Sequence, residues 1–268
     1  MPIQVDADVR PLSEDVFREI AYAVTGAAFA VHNEYGSFFN ENVYKHEIAD
    51  ECRRRGLPDV QVEARVRATY GDFVKEYFAD LLVGGGALFE LKAAAGLADE
   101  HRAQTLNYLF LMELHRAKLI NLGSPSVQHE FVNTTLTHAH RKRFSVRREG
   151  WQALDEDGVR FCELLIELLN DWGSFLQLPL YYEAVTHFFG GEDRVVGEIP
   201  VLRAGGEATR QKVHLLNPNT AFKLTALGNH LPAVREHLQR FLHHSRLRAV
   251  QWVNIHQHDV QFTTLLNT

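Results

Sequence analysis

The chain repeats itself. Asn33-Glu34-Tyr35-Gly36-Ser37-Phe38-Phe39 returns 137 residues later as Asn170-Asp171-Trp172-Gly173-Ser174-Phe175-Leu176. At the same offset Val43-Tyr44 meets Leu180-Tyr181. At an offset of 133, Leu88-Phe89-Glu90-Leu91-Lys92-Ala93 meets Ala221-Phe222-Lys223-Leu224-Thr225-Ala226, and Leu119-Ile120-Asn121-Leu122 meets Trp252-Val253-Asn254-Ile255. Near the two C-terminal ends, Val127-Gln128-His129-Glu130-Phe131 with Val132-Asn133-Thr134-Thr135 resembles Val260-Gln261-Phe262-Thr263-Thr264. One short match arises by chance; a colinear series with a nearly constant offset points to two copies of one structural unit. The copies span about 17–135 and 161–268, so the chain reads as a domain over 1–139, a basic connector over 140–160 and a second domain over 161–268. The expectation is an intramolecular pseudo-dimer, with further homo-oligomerisation left open.

Each copy has the same coarse grammar. In the first, apolar residues at Ile20, Val24, Ala27, Ala28 and Val31 predict a helix over 16–34, ended by Gly36. A second helix is predicted over 40–55, stopping at Gly56-Leu57-Pro58. Strands follow over 60–68, 73–83 and 87–93, then a helix over 99–115 and strands over 117–122 and 128–133. Strands that precede a single helix predict an α/β protein of the α+β sandwich type, a mixed β-sheet flanked by helices, and argue against a doubly wound parallel sheet.

Composition narrows the function classes. With 46% hydrophobic and 23% charged residues the chain can bury full cores, so a disordered tail is excluded. No apolar run reaches the roughly 18 residues of a membrane span, so no membrane partner is expected. Cys52 and Cys162 are far apart, which excludes a disulfide scaffold and fits a reducing, cytoplasmic setting. The net charge of −6 means that polyanion binding must come from a local patch or a metal. Arg141, Lys142, Arg143, Arg147 and Arg148 of the connector form such a patch, although a basic run is more often merely solvated. The His243-His244 and His256-Gln257-His258 clusters lack a third metal ligand.

One constellation in the first copy carries chemistry. Gly84-Gly85-Gly86 fits a three-residue hairpin loop, so Val83 faces Ala87 and Asp80 falls opposite Glu90. Directly opposed side chains lie about 5 Å apart, and two carboxylates that close repel unless a divalent cation sits between them. Lys92, two residues beyond Glu90, shares its face. Glu41 with Tyr44, and Gln104 with Tyr108, each share one face of a helix.

These residues resemble the PD-(D/E)XK nuclease superfamily, and more closely its GxxExxY branch. That branch runs close to H-x-E-L-G-P-G-L-L-E-x-V-Y, then A-D-L-L-V, then E-L-K-A, then H-x-A-Q-L-x-x-Y. Here the chain has His32-Asn33-Glu34-Tyr35-Gly36-Ser37-Phe38-Phe39-Asn40-Glu41-Asn42-Val43-Tyr44, then Ala79-Asp80-Leu81-Leu82-Val83, then Glu90-Leu91-Lys92-Ala93, then His101-Arg102-Ala103-Gln104-Thr105-Leu106-Asn107-Tyr108. The resemblance covers about 17–135, and the glycine that names the branch is Phe38 here. It implies a restriction-endonuclease-like fold and metal-dependent hydrolysis of nucleic-acid phosphodiesters, DNA ahead of RNA. Asp80 and Glu90, with help from Glu41, would hold Mg²⁺, with Mn²⁺ able to substitute. Lys92 would position a water or offset developing charge, and Gln104 and Tyr108 would orient the substrate strand or Lys92.

The second copy has lost this set. Glu41, Glu90, Lys92, Gln104 and Tyr108 fall on Leu178, Lys223, Thr225, His237 and Phe241, and a four-residue turn at Asn217-Pro218-Asn219-Thr220 would put His214 in the place of Asp80. The alternative reading for the whole chain is a catalytically silent module that binds nucleic acid or protein on a retained nuclease fold. Against it stands the complete ligand set of the first copy.

Overall fold

The computed structural model describes residues 2–267, and the chain divides between His138 and Ala139 into two compact units. The first contains β1 (Ile3–Val5), α1 (Glu14–Tyr35), α2 (Glu41–Arg54), β2 (Gln61–Tyr70), β3 (Phe73–Val83), β4 (Ala87–Lys92), α3 (Asp99–Met112), β5 (Arg116–Asn121) and β6 (Gln128–Asn133). After the short α4 (His138–Arg141), the second contains β7 (Ser145–Gly150), α5 (Glu156–Trp172), α6 (Leu178–Phe188), α7 (Glu192–Val195), β8 (Val196–Arg203), β9 (Gly206–Asn217), β10 (Thr220–Thr225), α8 (Leu231–His243), β11 (Ala249–His256) and β12 (Asp259–Leu266).

Local chemistry sets the boundaries that matter for the site. Ser13 caps α1 by accepting the Val16 N–H, and the helix stops at Gly36, whose φ of 73° favours glycine. Asn40 caps α2 by accepting the Val43 N–H at 3.1 Å, which places Glu41 on the first helical turn. Phe17, Ala21, Val24, Ala28 and Val31 recur at helical spacing and are all buried, so α1 lays one stripe onto the sheet beside α2. Leu81, Val83, Phe89 and Leu91 meet that stripe from below. Alternation along β3 and β4 then turns Asp80, Glu90 and Lys92 to the other face.

Both units hold a six-stranded mixed sheet flanked by helices, consistent with a duplicated restriction-endonuclease-like fold. In the first, the order is β1-β2-β3-β4-β5-β6, antiparallel throughout except for the parallel pair β4–β5. In the second, β8-β9-β10-β11-β12 has the same order and directions as β2–β6, with β10–β11 the parallel pair. A parallel pair needs a helical crossover, which α3 and α8 supply. The sixth strands differ: β1 joins the β2 edge antiparallel, whereas β7 joins β12 in parallel.

The basic segment expected to connect the halves is therefore largely built into the second unit. Ser145–Gly150 is a charged edge strand, a composition that discourages pairing with other chains. Arg141 is buried and donates to the Trp172 carbonyl at 2.7 Å, closing the end of α5, and Arg147 Nε donates to Asp259 at 2.9 Å. Two of the five cations of that patch are thus spent on the fold.

Candidate active site

The β3–β4 hairpin has the register expected of a three-residue loop, with Val83 against Ala87, Leu82 against Leu88 and Leu81 against Phe89. All six residues of β4 are buried, Glu90 and Lys92 among them. A buried carboxylate must find compensation. Glu90 Oε1 accepts from Lys92 Nζ at 2.8 Å, but Glu90 Oε2 is buried without a hydrogen-bond partner. The same ammonium lies 3.4 Å from Glu41 Oε2 and 4.0 Å from Asp80 Oδ2. Lys92 therefore sits among Glu41, Asp80 and Glu90.

Asp80 is held from two further sides. The Leu91 N–H donates to Oδ2 at 2.9 Å, and Lys45 Nζ lies 2.9 Å from Oδ1. Lys45 also reaches Glu63 at 3.1 Å, and Glu63, on β2, has a φ of 56° that is uncommon for a glutamate. Neither Lys45 nor Glu63 was singled out from sequence. The available signal was that Lys45, next to Tyr44, aligns with Tyr182 in the repeat.

Electrostatics follow from this packing. Burial first, and the charge of Asp80 second, push the Glu90 carboxyl up to about 8. Burial pulls Lys92 down, but Glu90, Asp80 and Glu41 outweigh it and hold the ammonium above its usual range. Lys45 is raised in the same way, burial being outweighed by Asp80 and Glu63. Burial also raises Tyr108, with Glu90 and Asp80 adding to it. Its hydroxyl donates to the Phe78 carbonyl at 2.8 Å and meets the Gln104 side chain, so Tyr108 stays protonated as a brace between α3 and β3. Gln104 thus touches Tyr108. Tyr44 is a brace too: its hydroxyl donates to the Gly36 carbonyl at 2.8 Å and accepts the Phe39 N–H at 3.1 Å. Phe38 has no positive φ, so the glycine of the branch motif is not required there, and its ring is fully exposed.

The donor set suits a hard divalent cation. Glu41, Glu63, Asp80 and Glu90, fully ionised, set four negative charges against the two of Lys45 and Lys92, and Glu90 Oε2 is an oxygen with nothing bound to it. Asp80 and Glu90 are the carboxylates that could hold such an ion. Glu41 is engaged with Lys92, and among the described residues no three His, Cys, Asp or Glu side chains already converge as a metal cage.

The corresponding place in the second unit is built differently. A bulge in β9 pairs Thr220 with Asn217 but Ala221 with Leu215, so continuing the register sets Val213 opposite Lys223. The expectation for His214 is corrected by that one extra residue: Val213 stands in the place of Asp80. The Leu224 N–H, which corresponds to the Leu91 N–H bound by Asp80, donates to the Tyr182 hydroxyl at 2.8 Å. Thr225, in the place of Lys92, accepts from Trp252 Nε1 at 2.8 Å and donates to Asn254 at 2.8 Å. The framework contacts persist where the ligands do not. Tyr181 donates to the Gly173 carbonyl as Tyr44 does to Gly36. Asn254 bridges the N–H and C=O of Leu227 as Asn121 bridges those of Ala94.

Among known families, residues 18–134 match the model of the PD-(D/E)XK nuclease superfamily, a stretch that contains every residue of the first-unit cluster. No curated protein and no solved structure matches the chain.

Proposed function

We propose that the first unit is a nuclease of the GxxExxY kind that hydrolyses phosphodiester bonds with a divalent metal, on DNA in preference to RNA, and that the second unit is a copy that has lost the chemistry. The observation that carries this reading is the buried Asp80–Glu90–Lys92 group, in which an ammonium lies between carboxylates and one carboxylate oxygen has no partner. Natural cores avoid such a group unless a ligand completes it. Asp80 and Glu90, with Glu41 alongside, would hold Mg²⁺ or Mn²⁺, which would supply Lewis-acid polarisation of the phosphoryl oxygen and a more acidic water.

The protein's own residues supply the rest. Lys45 and the Leu91 N–H fix both oxygens of Asp80, so the carboxylate cannot swing away. Lys92 stays an ammonium, held on Glu90, and offsets the charge that grows on the phosphoryl oxygens. Gln104 and Tyr108 keep α3 against β3 and thereby position the strand that carries Asp80. The test is cleavage of single- and double-stranded DNA and RNA by the purified chain with Mg²⁺ or Mn²⁺ and with a chelator. The reading expects metal-dependent cleavage of DNA and fails if no substrate is cut.

A second reading, a nucleic-acid-binding module without turnover, is favoured by one observation only: no three-ligand metal cage is gathered among the described residues. Tight binding of nucleic acid without metal, and no cleavage, would select it.

A further inference from the structure

Where the first unit gathers carboxylates, the second has a hollow of about 290 Å³ over the β9–β10 hairpin and α8. One wall is aromatic. The Tyr182 ring stacks on Phe222 with centroids 5.5 Å apart and planes 29° apart, and His214 lies 4.7 Å from Tyr182 and 5.4 Å from Phe222. Phe241 of α8 lines the same hollow. Lys212 and Lys223 line it as well; both are exposed, and neither has an ion-pair partner among the described residues. Burial, helped by Lys223, holds His214 below the ordinary imidazole range, so at neutral pH it presents a ring face rather than a charge.

The exchange of Glu90 for Lys223 inverts the sign of this place, from one that suits a cation to one that suits an anion. An inorganic anion would leave the aromatic wall unused, and an apolar ligand would leave the lysines unused. A nucleotide uses both: its base offers a flat face for stacking and its phosphate a charge beside it. The volume lies just below the range of small-ligand sites, which runs from about 300 Å³ upward. A base inside a duplex has both faces covered by its neighbours, so the ligand must be unpaired.

We infer that the second unit binds an unpaired nucleotide, with the base against Tyr182 and His214 and the phosphate at Lys212 and Lys223. The site belongs to the second unit alone, and it stands whether or not the first unit cuts. The nucleotide is either part of a single strand or free, and the experiment separates these sources.

The test is fluorescence anisotropy of the intact chain in a chelator, with a fluorescein-labelled oligodeoxyadenylate as probe and AMP or the matching duplex as competitor. The expected result is that the single strand binds and that the duplex competes at least about ten-fold less well. Lys212→Glu with Lys223→Glu, and separately His214→Ala, should each weaken strand binding about ten-fold without lowering the melting temperature. Displacement by AMP identifies a site open to a free nucleotide; no displacement, with the variant effects intact, assigns the nucleotide to a strand. A 5-iodouracil strand irradiated on the unsubstituted protein should cross-link within the peptides that carry Tyr182 or His214, a readout that needs no variant to fold. The inference is overturned if neither strand nor AMP binds, if the variants bind as tightly as the parent, or if cross-links fall only on other peptides.

Discussion

At the residue scale, Glu90 carries the account's sharpest dependence on pH. Its carboxyl sits at about 8 in the folded protein against an ordinary 4.5, with burial the largest cause. Between those values the folded chain keeps a proton that the unfolded chain has released. The stability this group contributes is therefore full below about 4.5 and lost as pH rises through about 8. In a chelator, the melting temperature of Glu90→Gln relative to the parent should rise between pH 5 and pH 9, because the amide removes the ionisation. A difference that stays flat with pH would mean that Glu90 is ionised in the metal-free fold. Asp80, Glu90 and Lys92 were legible in the sequence because hairpin pairing and strand alternation are short-range geometry. Lys45 and Glu63 were not: Lys45 of α2 meets both Asp80 of β3 and Glu63 of β2, and no spacing rule connects elements that far apart in the chain.

At the scale of elements, the turn that opposes the two carboxylates is packed on its outer side. A Cβ at Gly86 would come within 2.2 Å of the Arg10 carbonyl oxygen and 2.8 Å of the Leu12 side chain, and the Arg10 N–H donates to the Gly85 carbonyl at 2.9 Å. Gly86→Ala should therefore cost about 1–3 kcal/mol of stability, read as a lowered midpoint in urea, through overpacking. An unchanged midpoint would mean that the segment from Asp8 to Leu12 yields freely. The helices and strands of the first copy were readable because their apolar residues recur with periods of 3.6 and 2. What escaped was β1, three residues long with no room for a pattern, and β7, whose Arg147 and Arg148 disguise an edge strand as a linker. The β9 bulge escaped as well, since Asn217-Pro218-Asn219-Thr220 fits a two-residue and a four-residue turn equally, and only pairing with β10 decides between them.

For the whole molecule, five strands share one order in both units, and the carboxylate–lysine cluster of the first has other residues in its place in the second, so the proposed reading puts the chemistry in the first unit. Thr225 stands where Lys92 does, yet it is tied to Trp252 and Asn254 and touches no carboxylate cluster. Thr225→Ala should lose about 1 kcal/mol of stability and leave the rate of metal-dependent cleavage within two-fold at temperatures below melting. A rate loss much larger than that would make the second unit part of the chemistry. Core positions survived in both copies: Phe222, Leu224, Leu242, Val253 and Phe262 are all buried, as their apolar character in the repeat had implied. The repeat could be read because packing constrains many residues at once, whereas the nucleotide pocket proposed for the second unit had no motif to announce it. The central claim, that Lys92 acts among carboxylates in metal-dependent cleavage, is tested most directly by single-turnover cleavage of DNA in Mg²⁺ by the parent and by Lys92→Ala side by side. The account predicts that the substitution slows cleavage at least about 100-fold with the fold retained; Lys92→Ala cutting as fast as the parent would contradict it.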